Sequence, residues 1–228
     1  VTELEAWLVR ELDQVVQEYH GAQLPLALRI QIEGARQRLR WFAQHQARIR
    51  AEGWRVQAVE TKFESDIDGV TLVGKVDRID RHEDGRVRVL DYKTYAAMKE
   101  VEREHRIEMR SNTVLPAHLM GVDEIVGRNS KDRETRWTNL QVPLYAAFIP
   151  DVRELGYFIL GESEGEVGLS LWDGFRPEDR DSALRCAKWV VGCVKARRFG
   201  PPADRVTYDA FEVLGMGRRL ADMVEGVS

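Results

Sequence analysis

Gly74-Lys75-Val76-Asp77-Arg78-Ile79-Asp80 and, one short loop later, Val89-Leu90-Asp91-Tyr92-Lys93-Thr94 are the stretch on which the fold turns. Both segments read as strands, in which alternate side chains share a face. Val87, Val89, Asp91 and Lys93 then point the same way, so a carboxylate and an ammonium end an apolar row. Val73, Lys75, Asp77 and Ile79 share a face on the preceding strand. Whether the two rows meet depends on loop parity. A two-residue turn at Asp84-Gly85 pairs Asp77 with Tyr92 and sends the aspartates to opposite faces. A three-residue loop, Glu83-Asp84-Gly85 with Gly85 left-handed, pairs Asp77 with Asp91 and Ile79 with Val89. The second register keeps the apolar residues together and is the one expected.

That register brings two carboxylates within about 5 Å at their β-carbons. Like charges so close need a cation or a shared proton. Oxygen donors select a hard divalent ion, so Asp77 and Asp91 are candidate ligands of Mg²⁺, for which Mn²⁺ can substitute. Lys93, on the same face, can orient or acidify a metal-bound water, a combination suited to phosphodiester hydrolysis. The competing reading is a solvated hairpin whose aspartates merely pair with Lys75, Lys93 and Arg78. Glu60 shares strand parity with Trp54, Val56 and Ala58 and is a further candidate ligand, with surface ion pairing as the alternative. Asp80 falls on the opposite face from Asp77 and is expected to pair with Arg78 or Arg88.

Outward from this pair the chain is α/β. Leu4, Leu8, Leu12, Val15, Val16 and Tyr19 recur at helical spacing over residues 3–19, and His20-Gly21 breaks the pattern. Pro25 suits a helical first turn, and Ile32, Leu39, Phe42 and Ile49 form the apolar side of a second helix to about Ala51, ended by Gly53. Strands are expected at 54–64, 70–81 and 86–93, joined as a meander through Asp68-Gly69 and Asp84-Gly85. Residues 96–136 read as a charged, partly helical, mobile or substrate-facing excursion, in which Arg103, Arg106, Arg110, Arg128, Lys131, Arg133 and Arg136 could track nucleic acid and Trp137 could stack on it. Thr138 or Asn139 can cap a helix over 139–149, on which Gln141 and Tyr145 lie at i and i+4 on one stripe. Strands near 156–161 and 167–172, a helix from Pro177 to about Arg198 and a short closing helix complete the chain.

The three motifs, the Gly74–Asp80 strand, Asp91-Tyr92-Lys93-Thr94 and Gln141-Val142-Pro143-Leu144-Tyr145, resemble in order those of the RecB-type nucleases of the PD-(D/E)XK superfamily, which share the restriction-endonuclease-like fold. The layout from the Trp54 strand to Pro201-Pro202 also resembles the C-terminal nuclease domain of AddB-type repair proteins. The resemblance implies a mixed central sheet flanked by helices, preceded by two N-terminal helices. It implies Asp77 and Asp91 as metal ligands, Lys93 as the catalytic lysine, and Gln141 and Tyr145 as active-site support facing DNA. The implied activity is Mg²⁺-dependent DNA cleavage, as an exonuclease, in recombinational repair beside a helicase domain or subunit. A degenerate nuclease fold that binds DNA or braces a partner, and a stand-alone restriction-type endonuclease, are the alternatives. Many relatives carry a helical histidine in a Gly-x-x-x-His pattern; His20 and His45 lack that context. The Phe199–Phe211 segment resembles the closing region of iron–sulfur members without its cysteines, so no cluster is expected.

The 228 residues suit a single nuclease domain, with 1–52 helical, 53–175 catalytic and 176–228 closing helices. The valine at position 1 hints at excision from a longer protein. No apolar run approaches the roughly 20 residues of a membrane span. No signal peptide is visible, and Cys186 and Cys193 are too few for a disulfide scaffold, so a reducing cytoplasm is expected. The net charge of −4 argues against gripping nucleic acid by bulk charge. Local clustering of arginine must supply what the total does not.

Overall fold

Two helices open the chain, α1 (Thr2–His20) and α2 (Leu26–Ala51), and the meander comes next as β1 (Trp54–Ile67), β2 (Val70–His82) and β3 (Val87–Lys93). They belong to a computed structural model that describes residues 1–200; the chain divides into units Val1–Ala196 and Arg197–Ser228, and these elements lie in the first. Asp68 and Gly69 turn β1 into β2 with φ of 50° and 79°, both left-handed, as a two-residue turn matched to strand twist demands. The next loop is the three-residue one: His82 N–H bonds to the Arg86 carbonyl at 2.9 Å, and Gly85 sits at φ 96°. Ile79 therefore pairs with Val89 and Arg78 with Leu90, as the apolar pattern requires.

Residues 96–137 hold more structure than their composition predicts. A short α3 (Val101–His105) leads into β4 (Arg106–Glu108), β5 (Val126–Arg128) and β6 (Glu134–Trp137), a small antiparallel sheet in the order β4-β6-β5. Its strands are three or four residues long, too short for alternation to stand out from the charges around them. The chain then forms α4 (Gln141–Phe148), β7 (Val152–Leu160), β8 (Val167–Leu171) and α5 (Pro177–Lys195). The helix expected from 139 begins at Gln141, and Asn139 Oδ1 accepts the Gln141 N–H at 2.9 Å. Pro25 stands just outside α2 rather than in its first turn. The expected closing helix beyond Pro202 lies outside the described residues.

The main sheet runs β1-β2-β3-β7-β8, with β3 and β7 parallel and the other neighbours antiparallel, so it is mixed. Alternation sorts its two faces. Val87, Val89, Leu155, Tyr157 and Ile159 pack toward Val142 and Tyr145 of α4, Ala183 and Cys186 of α5, and Trp137. Leu90, Phe158 and Val167 face the other way, onto Trp41, Phe42 and Ile49 of α2. Helix α1 packs along α2 and has no fully buried residue.

Between α2 and the sheet lies a buried ion triad. Asp80 accepts Arg78 Nε at 2.6 Å and Nη2 at 2.9 Å through its two oxygens, and Arg88 Nη2 at 2.9 Å. Arg88 also lies 4.0 Å over the Trp54 ring, and Arg78 donates to Gln46 of α2 at 2.7 Å. Asp80 thus holds the arginines its strand parity assigned to it.

Candidate active site

Asp91 stands opposite Tyr157 in the parallel β3–β7 pair and is only 2 % exposed. The apolar row Val87, Val89 carries it into the α4 side of the sheet, where a carboxylate loses most of its hydration. Burial pushes its pKa up, against the opposing pull of the Lys93 ammonium, while the neighbouring Asp77 charge adds to the rise. Lys93, two residues on, places Nζ 2.6 Å from Asp91 Oδ2. Oδ2 is buried, and the Lys93 ammonium is its partner among the described residues. Gln141 Nε2 donates to the other oxygen, Oδ1, at 2.8 Å.

Asp77 stands one step past the Arg78–Leu90 pair, where the β2–β3 ladder ends. Its Oδ2 accepts the Tyr92 N–H at 2.9 Å, which ties the carboxylate to the backbone beside Asp91. Helix α4 closes the site from above. Gln141 Nε2 also donates to the Tyr145 hydroxyl at 3.0 Å, and that hydroxyl donates to the Lys75 carbonyl at 3.0 Å. The i, i+4 stripe is therefore a brace between Asp91 and β2. Tyr145 is 4 % exposed and faces the protein rather than solvent, whereas Gln141 remains exposed. Burial raises the Tyr145 pKa to about 12, so its hydroxyl keeps the proton it donates.

Gly74 explains how α4 is seated. The Phe63 ring lies across this glycine so closely that a β-carbon there would come within 2.2 Å of it. From that position Phe63 stacks on Phe148 of α4 at 5.6 Å and meets Tyr145 edge-on at 6.1 Å.

Glu60 stands between the Val59–Arg78 and Thr61–Val76 pairs, across β1 and β2 from Asp77, with φ 52° and its carboxylate paired with Lys75. Among the described residues no three His, Cys, Asp or Glu side chains gather as a metal site. The arginine track expected from the sequence is also thinned. Arg106 is buried and bound to Asp179 at 2.7 Å and Glu102 at 2.5 Å, while Arg128 and Arg133 pair with Glu134 and Glu108. Trp137 is buried and donates to Ser182 at 3.0 Å, so its ring is closed to stacking on bases. His45 packs edge-on against Phe158 on the α2 side, away from Asp91. Cys186 is buried with its pKa raised to about 11, as a core thiol.

Sequence reasoning missed His105 and Tyr157, which lie beneath the site, and the backbone bond that ties Asn139, expected only as a helix cap, to His105. The Tyr157 hydroxyl meets His105 Nε2 at 2.8 Å, and His105 Nδ1 meets the Asn139 carbonyl at 3.0 Å. No motif marks His105, set in the charged excursion; Tyr157 could have been found from its inward parity opposite Asp91.

A mixed sheet whose paired central strands present two aspartates and a lysine beneath a glutamine-bearing helix is the restriction-endonuclease-like arrangement. The sequence pattern of the PD-(D/E)XK nuclease superfamily matches residues 1–149, well over half of the chain, and the chain belongs to that superfamily. Its members generally hydrolyse phosphodiester bonds. No curated protein sequence matches the chain. No helix among the described residues is long and apolar enough to cross a membrane.

Proposed function

We propose that the chain is a Mg²⁺-dependent deoxyribonuclease of the RecB/AddB type, an exonuclease acting in recombinational repair alongside a helicase domain or subunit. The observation that carries the reading is Asp91: a buried carboxylate beside a second carboxylate, with one oxygen held by Gln141 and the other met among the described residues by the Lys93 ammonium. A hard cation fits there. Mg²⁺ is commonly held by one or two carboxylates, with water and substrate phosphate completing its shell, so two acidic side chains suffice for it. Asp77 and Asp91 would be its ligands, and when bound it would supply Lewis-acid charge and an acidified water.

The chain's own groups do the rest. Gln141 holds Asp91 Oδ1 and leaves Oδ2 turned toward the site. Tyr145 fixes Gln141 and the strand carrying Asp77 in one bonded unit. Lys93 Nζ, anchored beside Asp91 in the absence of substrate, is placed to hand hydrogen bonds to the attacking water and to the phosphate oxygen on which charge grows. Of the basic residues in the excursion, Arg110, Lys131 and Arg136 make no ion pair among the described residues and are the ones available to backbone phosphate.

End-labelled linear and circular DNA, incubated with and without Mg²⁺, tests the reading. Cleavage of the linear form only, lost by at least about a hundredfold in Asp77→Ala and Lys93→Ala, is expected. Undiminished cleavage by either variant would remove the mechanism. A folded protein that binds DNA without cutting it would favour the bracing or binding role.

A further inference from the structure

The three groups beneath the site form one continuous connection, and its hydrogens can be assigned. The Asn139 carbonyl can only accept, so His105 Nδ1 carries a proton. The ring is neutral, because full burial and the nearby Lys93 charge push its pKa down to about 4. Nε2 is therefore the acceptor, and the Tyr157 hydroxyl donates to it at 2.8 Å. Trp172 stacks on the imidazole at 5.4 Å and 20°, which fixes the ring plane.

Each end of the connection reaches a site residue. The Tyr157 ring lies beneath Lys93, with Nζ 5.5 Å from its centroid, and Tyr157 is the strand partner of Asp91. At the other end, the His105 carbonyl accepts Thr138 N–H at 2.9 Å and Asn139 N–H at 3.2 Å, while Asn139 Oδ1 caps the Gln141 N–H at 2.9 Å. One residue thus clamps the floor under Lys93 and the first turn of the helix that carries Gln141.

We propose that His105 is a positioning residue for this site, setting Lys93 through Tyr157 and Gln141 through Asn139. The proposal rests on the nuclease reading above. A neutral imidazole suits the task better than a lysine or arginine would, since it joins a donor to an acceptor without adding positive charge under Lys93. It transfers no proton to substrate and touches neither carboxylate. Its effect is geometric, and displacement of a catalytic group by about 1 Å can lower a rate about a hundredfold.

The test measures kcat and KM for Mg²⁺-dependent DNA cleavage, well below each variant's melting temperature. His105→Ala is expected to lower kcat about thirtyfold with KM within about twofold. His105→Gln, whose amide oxygen can still accept from Tyr157, is expected to recover most of that loss. Tyr157→Phe keeps the ring under Lys93 and removes only the hydroxyl bond; it is expected to lower kcat about tenfold alone and to add nothing to His105→Ala. A folded His105→Ala with kcat within about threefold of the parent, or losses that multiply in the double variant, would overturn the proposal. If His105→Ala does not fold, a parental kcat in Tyr157→Phe overturns it instead. Failure of the nuclease reading looks different: the parent chain itself would not cleave, or Lys93→Ala would cleave as well as the parent.

Discussion

Asp91 is a carboxylate where a carboxylate is costly, and its two oxygens divide the work of the site. Oδ1 accepts from Gln141 and Oδ2 pairs with the Lys93 ammonium. Because the folded pKa is raised, the sign of the linkage is that of a group that prefers its proton when folded. Its contribution to stability is present below the unfolded carboxylate value and is lost as pH rises through the folded value. A divalent cation held there would reverse this by binding the ionised form, in competition with the proton for the same oxygen. Millimolar Mn²⁺ is therefore expected to raise the melting temperature by a few degrees at pH 8 and by less at pH 5, for about 1–3 kcal/mol of binding linkage. Calorimetry of the parent and of Asp91→Asn checks it: an equal rise in the variant would show that the cation binds elsewhere.

The elements meet at two glycines whose substitutions differ in kind. A β-carbon on Gly156 of β7 would come within 2.1 Å of the Ser170 carbonyl oxygen and 2.8 Å of Leu171 Cα, both backbone atoms of β8. Neither can move without parting the strands. At Gly74 the obstacle is the tip of the Phe63 ring, which can swing aside but then leaves Phe148 and Tyr145. Gly156→Ala is accordingly expected to cost about 3 kcal/mol or more in urea unfolding, with loss of the β8 edge. Gly74→Ala is expected to cost about 1–2 kcal/mol yet to lower DNA cleavage disproportionately, because α4 carries Gln141 and rests on Phe63. Equal stability losses in the two variants would contradict this account. The glycine of the Gly-x-x-Asp motif lies within β2, paired with Phe63 of β1, so it answers to packing rather than to a turn.

At the scale of the whole molecule, the face opposite the site is held by charge rather than by apolar packing alone. Arg78, Asp80 and Arg88 are all at most 2 % exposed and connect β2, β3 and, through Gln46, α2. Such a group is weak evidence for stability, but removing one partner strands the others. Asp80→Ala leaves two buried guanidinium groups facing each other and is expected to cost about 3–5 kcal/mol in denaturant unfolding. Replacing all three with Met, Leu and Met should restore much of that loss, and a triple variant no more stable than Asp80→Ala would refute this. The superfamily's α/β core was legible in the sequence because its strands are long enough for alternation to show, and the Asp77–Asp91 register followed from keeping Ile79 beside Val89. The small sheet of β4, β5 and β6 was not, since three-residue strands carry no period, and neither was the burial of Arg106 and Trp137 within it. The pairing of Glu60 with Lys75 was not legible, because parity counting sees neither the register shift in β1 nor the left-handed φ of Glu60. Strand alternation, loop length and the order of three motifs are local properties, and they determined the fold class and pointed to Asp77, Asp91 and Lys93 as the candidate site. Which groups stand under and behind that site, His105, Tyr157 and the Asn139 carbonyl above all, is a matter of contacts between residues far apart in the chain, which only the packed structure decides.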